Sequence, residues 1–96
     1  MFFVLLTFSD KKEKAAEFME DHNKWVKKGF DDDAFILAGS LHPNLGGSIM
    51  ANNTSSGELQ NRVNEDPFVV NNVVNAEILE IIPARADERL KFLLGK

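Results

Sequence analysis

The first eight residues, MFFVLLTF, are apolar at both odd and even positions, and the chain then turns abruptly polar at SDKKEK. A short run of aromatic and branched side chains with no polar alternation predicts a strand over Phe2 to Phe8 that is covered on both sides. Asp10 and Glu13 have capping-box spacing and predict a helix that runs to about Lys28 and stops at Gly29. After the acidic turn Asp31-Asp32-Asp33, Phe35 to Ala38 reads as a second strand, and GSLHPNLGG as a loop punctuated by glycine and proline. Ser48 to Asn52 is a third strand. Ser55 and Glu58 repeat the capping-box spacing and open a shorter helix that ends near Asn64. Val73 to Ile82 is a fourth strand, closed by Pro83, and ARADERLKFLLGK predicts a short terminal helix with Leu90, Leu93 and Leu94 on its apolar side.

The predicted order is β-α-β-β-α-β. It implies an α+β, ferredoxin-like fold: one four-stranded antiparallel sheet with two helices on one face, plus the short C-terminal helix. Domain limits of 1–83 and 84–96 follow, the second being the helical extension. Two helices cover one side of such a sheet, yet the first strand is apolar on both. A second copy of the chain is the expected cover for the other face.

Placed at 100° per residue, the first helix puts Ala15, Phe18, Met19, Val26 and Gly29 on one stripe, with Trp25 at its edge. Glu17, Asp21, Lys24 and Lys28 lie opposite. His22 sits near the centre of the apolar stripe, where leucine would fit the pattern. A buried imidazole without a partner costs about 1–3 kcal/mol, so the ring needs one. Two partners remain open: a backbone carbonyl, which by pattern alone is the commoner case, or a carboxylate. Asp66 is the candidate carboxylate. In NEDPFVV it precedes Pro67, which pushes it out of helical conformation at the end of the second helix, and Phe68 can anchor the joint. With both helices side by side on one sheet face, His22 and Asp66 are able to meet.

Composition removes several function classes. The chain has 96 residues, eight Phe, no Cys and a formal net charge of −4. Without cysteine there is no disulfide framework, thiolate nucleophile, Cys-x-x-Cys metal chaperone or Cys-based zinc site. The acidic balance lacks a basic stripe, and the third strand reads SIMAN where an RNA-recognition module would carry stacking aromatics, so no nucleic-acid partner is expected. The apolar opening is too short to span a bilayer and has no basic leader, which predicts no membrane partner and a cytoplasmic location.

Three landmarks occur in order: His22 in the first helix, AGSLHPNLGG over 38–47, and DPFVV over 66–70. Over residues 1 to about 82 this chain resembles the YciI-like family, also called YCII-related proteins, of the dimeric α+β barrel superfamily. The resemblance implies a homodimer with sheets packed face to face, and a small pocket holding a His–Asp pair. It implies cofactor-free acid–base chemistry, one relative being a dehydrochlorinase acting on a chlorinated hydroxyquinol. By the same resemblance His22 transfers the proton and Asp66 orients it, with Gly39, Gly46, Gly47 and Pro67 as motif residues. The chain departs from the pattern at Met19, Glu20 and Asp21, where the family often has Arg or Pro, and at Ser40, where Pro is usual. The tail from Pro83 is an addition.

Other residues have plainer readings. His42 before Pro43 reads as a solvated loop residue, and no two-His spacing supports a metal site. Gly46-Gly47 reads as a tight turn, and Asp31 to Asp33 as a solvated acidic turn. Ser40, Phe68 and Trp25 are candidates for the pocket wall, though packing is the commoner fate of a tryptophan at a stripe edge. Two functions remain: a cofactor-free lyase, isomerase or dehydrochlorinase acting on a small cyclic organic molecule, or a non-catalytic dimer that senses a small metabolite in the same pocket.

Overall fold

The computed structural model describes residues 1–94. Strands β1 (Phe2–Phe8), β2 (Phe35–Leu41), β3 (Gly46–Ala51) and β4 (Val74–Glu80) form one antiparallel sheet in the order β2-β3-β1-β4. Helices α1 (Ala15–Asp31) and α2 (Ser56–Asn64) and the single turn α3 (Pro67–Val70) complete the β-α-β-β-α-β order, with a C-terminal 3₁₀ helix at Glu88–Leu93. This is the ferredoxin-like α+β fold. Strand β1 is central and paired on both edges: Phe2, Val4 and Leu6 on its helix side are buried among the core residues, and Phe3 and Leu5 are half-buried on the other face.

Rows on the helix side run across the sheet. Phe35, Ala51 and Phe2 pair across strands, followed by Ala38, Ile49, Val4 and Ile78, then by Ser40, Gly47, Leu6 and Ala76. Leu59 and Val63 of α2 are fully buried in the same core. The start of α2 follows its capping box as the spacing predicts: Ser55 Oγ accepts from the Glu58 amide at 3.1 Å, and Glu58 accepts from the Ser55 amide at 3.1 Å.

Four boundaries differ from the sequence reading. Asp10 does not cap α1. The Ser9 hydroxyl takes the Lys11 amide at 3.0 Å, a 3₁₀ turn (Lys12–Lys14) follows, and α1 begins after it without a side-chain cap. Gly29 does not end α1 either. It is buried inside the helix where a Cβ would fall within the Phe35 ring, and Asp33, at φ 60, takes the left-handed position after the helix end. The segment read as loop over 39–47 is mostly strand: Gly39 pairs with Ser48, Ser40 with Gly47 and Leu41 with Gly46, so the turn shrinks to residues 42–45. Glycines that read as punctuation here lie inside paired strands. Only Gly46 needs its freedom, at φ 135 with a Cβ position blocked by the Leu6 carbonyl. The fourth difference is the tail, which is 3₁₀ over Glu88–Leu93 with Leu93 buried and Leu90 exposed; residues 95 and 96 of the expected helix lie outside the described residues. Among the described residues no helix is long and apolar enough to cross a membrane.

Candidate active site

Pro67 at the first position of α3 fixes the backbone there, and Asp66 stands before it as N-cap with φ −59 and ψ 124. Its carboxylate accepts the Phe68 amide at 3.0 Å, the bond that the cap position calls for. The same oxygen, Oδ1, lies 2.7 Å from Nδ1 of His22 on α1. Asp66 is 0% exposed and the His22 side chain 14%. A carboxylate only accepts, so Nδ1 carries a proton and its N–H donates the hydrogen bond to Asp66 Oδ1. Nε2 is then the free ring nitrogen.

Phe68 fixes the ring plane. Its ring stacks on the imidazole with centroids 4.0 Å apart and planes 5° from parallel. One carboxylate oxygen therefore positions both the imidazole and the aromatic ring that lies on it. The other oxygen, Oδ2, is buried without a hydrogen-bond partner among the described residues. Removing one partner from such a buried arrangement is costly, because the remaining polar groups lose their bonds away from water.

His22 and Phe68 line a cavity of about 410 Å³ between α1 and the sheet. That size lies in the lower part of the range for small-molecule pockets, about 300–1,000 Å³. The space exists because the sheet row beneath it carries small side chains: Ser40 and Gly47 lie beside Leu6, and Ala38 lies in the row before. Gly39 and Gly46 also line the cavity. None of the lining residues is an Asp, Glu, Lys or Arg; the polar ones besides His22 are Asn23, Ser40 and Asn44.

Trp25 is not on the cavity wall. It is 8% exposed, its indole N–H donates to the Arg62 carbonyl at 2.9 Å, and its ring meets Phe35 edge-on at 5.3 Å. The packing of its body against Phe35 and the bond at its tip turn it away from the space that His22 faces. His42 lies in the exposed 42–45 turn outside the cavity. Asp31 and Asp32 are ion-paired with Lys27 and Lys28, and Asp32 also with Arg62. No cluster of three or more His, Asp or Glu able to hold a metal occurs among the described residues.

Sequence reasoning missed several wall residues. Met19 and Val26 lie on the same helical stripe as His22, so the 3.6-residue period carried the signal, yet it read as core packing. Phe8 and Val74 pair across β1 and β4 and continue the row parity of Leu6. Asn23 and Asn44 had no pattern to mark them. Asn44 sits in the short turn at φ 54, a conformation asparagine tolerates better than most residues.

No known family profile matches the chain, and no curated protein matches it either. Among solved structures it is similar to 5-chloro-2-hydroxyhydroquinone dehydrochlorinase from Burkholderia phenoliruptrix, solved in complex with 2,5-dihydroxybenzoquinone. The TM-score is 0.69 at 12% identity, over 84% of this chain and 93% of the other. At that identity the likeness is one of fold.

Proposed function

We propose that this chain is a YciI-like protein that carries out cofactor-independent acid–base chemistry, of the lyase, isomerase or dehydrochlorinase type, on a small cyclic organic molecule. The observation that carries this reading is the His22–Asp66 pair beside a cavity of about 410 Å³. Asp66 holds Nδ1 protonated, and Nε2 removes a proton from a ring hydroxyl or ring carbon. The imidazolium that forms gains the Asp66 charge as its partner. The same Nε2 then returns the proton to another atom, which gives isomerisation, or keeps it while a leaving group departs, which gives elimination. The fold shared with the dehydrochlorinase supports this choice of chemistry without fixing the substrate.

The test is a thermal-shift screen of hydroxylated and quinonoid single rings, beginning with 2,5-dihydroxybenzoquinone. A ligand at a hundredfold excess over its dissociation constant should add about 2.7 kcal/mol of stability. In His22→Asn, turnover of the hit should vanish while binding persists. A hit that binds the native protein and is never turned over would make the pocket a sensor, and a hit unaffected by filling the cavity would place the site elsewhere.

The sheet face away from the helices supports a homodimer as the working form. Leu37, Met50, Phe3 and Leu79 form one apolar row across that face, with Leu37 59% and Leu79 43% exposed. Sedimentation should give about twice the chain mass of 10.8 kDa, and Leu79→Asp should return the protein to monomer. A native protein that stays monomeric at every concentration measured would remove this part of the reading.

A further inference from the structure

The cavity wall holds no charged side chain, yet one exposed cation reaches its rim. Lys12, from the 3₁₀ turn that precedes α1, places Nζ 3.4 Å from the Asn44 carbonyl oxygen and 5.4 Å from the centroid of the Phe8 ring. Both Asn44 and Phe8 line the cavity. Among the described residues, Lys24, Lys27, Lys28, Arg62, Arg89 and Lys91 each pair with a carboxylate; Lys12, like Lys11, Lys14 and Arg85, has none within ion-pair distance, and of these four it is Lys12 that reaches residues of the cavity wall. Its ammonium is instead held by a carbonyl dipole and an aromatic face, neither of which cancels a full charge. Lys11 and Lys14 flank it in sequence together with Asp10 and Glu13, so residues 10–14 carry three cations and two anions in a chain of net charge −4. Within the site, Asp66 is buried behind His22 and Phe68 and does not line the cavity.

From this placement we propose that the cavity selects a singly charged anionic ring, a carboxylate or an ionised phenol, and that Lys12 is the residue that sets this preference. The proposal rests on the reading of the cavity as the ligand site. Lys12 acts on binding and leaves the proton transfer to His22. A cation on a flexible stem meets a ring anion without a fixed fork geometry, which suits ligands of varied substitution. The anion's negative end lies toward Asn44 and Phe8, and the rest of the ring lies against Phe68, Val74 and Leu6.

The test uses 4-hydroxybenzoate and 4-hydroxybenzamide, which match in size and differ in charge, titrated by ligand-observed NMR near neutral pH. The native protein should bind the benzoate more tightly than the amide. Lys12→Gln, which keeps a long stem with a donor for the Asn44 carbonyl, should weaken the benzoate about fivefold and change the amide less than about twofold. Lys12→Arg should retain the preference, and Lys24→Gln, a loss of the same charge from a paired surface site, should leave it unaltered. Added salt should narrow the native preference. The proposal is overturned if the native protein binds the amide as well as the benzoate or binds neither probe, or if Lys24→Gln has the effect of Lys12→Gln. None of these readouts depends on turnover, so loss of charge selectivity and loss of catalysis at His22 are separate results.

Discussion

The helix-facing side of the sheet has two ends. At one, Phe35, Ala51 and Phe2 form a row that is closed by Trp25 of α1 and supported by Leu59 and Val63 of α2. At the other, Ser40, Gly47 and Leu6 lie under Met19, His22 and Val26, and a cavity remains. The same strands and the same helix serve both. What differs is side-chain volume: at the aromatic end the rings of Trp25 and Phe35 meet edge-on, while at the small-residue end a cavity remains between α1 and the sheet. His22 lies at the boundary, one helical turn from Trp25, with ring centroids 5.8 Å apart. Trp25, packed at one end, and His22, on the cavity wall at the other, are thus carried by adjacent turns of one helix.

Breaking the packed end should have the largest effect. Phe35→Ala removes the ring that Trp25, Phe30 and the Gly29 backbone all pack against, and should cost about 3–5 kcal/mol. In a domain of this size that lowers the melting temperature by about 4–8 °C per kcal/mol. Ser40→Leu at the open end should change stability by no more than about 0.5 kcal/mol and abolish ligand binding, because it fills space that no core contact uses. Calorimetry on the two variants gives the comparison directly. Equal losses of stability would mean that the two ends are not different in kind.

The joint between the ends is Asp66. Asp66→Ala strips the bond partner from His22 Nδ1 and from the Phe68 amide at once, and should cost about 1–3 kcal/mol with loss of ligand turnover. Asp66→Asn keeps an oxygen for the Phe68 amide and so keeps α3 capped, and should be markedly closer to the native protein in stability. Its turnover should still fall, because a neutral amide gives no charge to a forming imidazolium. Chemical denaturation and steady-state rates of both variants separate the structural bond from the chemical one. Equal turnover in Asp66→Asn and the native protein would reduce Asp66 to a cap.

How much of this was legible in the sequence follows from which interactions are local. Element order, the capping box of α2 and the inward position of His22 were readable, because periodicity and capping depend on neighbours a few residues apart. Gly29 was misread because its reason is a ring 6 positions along the chain, on a strand, and glycine after a helical run looks the same whether it ends the helix or admits a neighbour. The 39–47 segment was misread because Gly39, Gly46 and Gly47 carry turn chemistry yet lie in paired strands, opposite Ser48, Leu41 and Ser40. Asp66 was nominated by its place before Pro67 and by the family resemblance of DPFVV, and the 2.7 Å contact with His22 spans 44 residues that no local rule connects. Lys12 carried no signal at all, since its meaning lies in where the 42–45 turn folds back.

The smallest expected effect sharpens the packed end from outside. Asp32, just past the end of α1, accepts from Lys28 at 3.1 Å and from Arg62 of α2 at 3.1 Å, so one carboxylate links the two helices behind the Phe35 ring. The Lys28 hydrogen bond first, and the Arg62 bond second, hold its carboxyl below the ordinary value of 3.8. A carboxyl whose pKa is lowered by folding contributes stability that is fully present above its unfolded value and is lost as pH falls through its folded value. The contribution is small because the pair is solvent-facing, and salt screens it. Asp32→Asn should therefore melt slightly below the native protein at neutral pH, and the gap should close as pH is taken below 3.8. Melting curves of the two proteins side by side cancel the other carboxylates that titrate in the same range. A gap that persists in acid would mean that Asp32 acts through helix-end geometry, with its charge contributing nothing, and the electrostatic tie between α1 and α2 would be withdrawn.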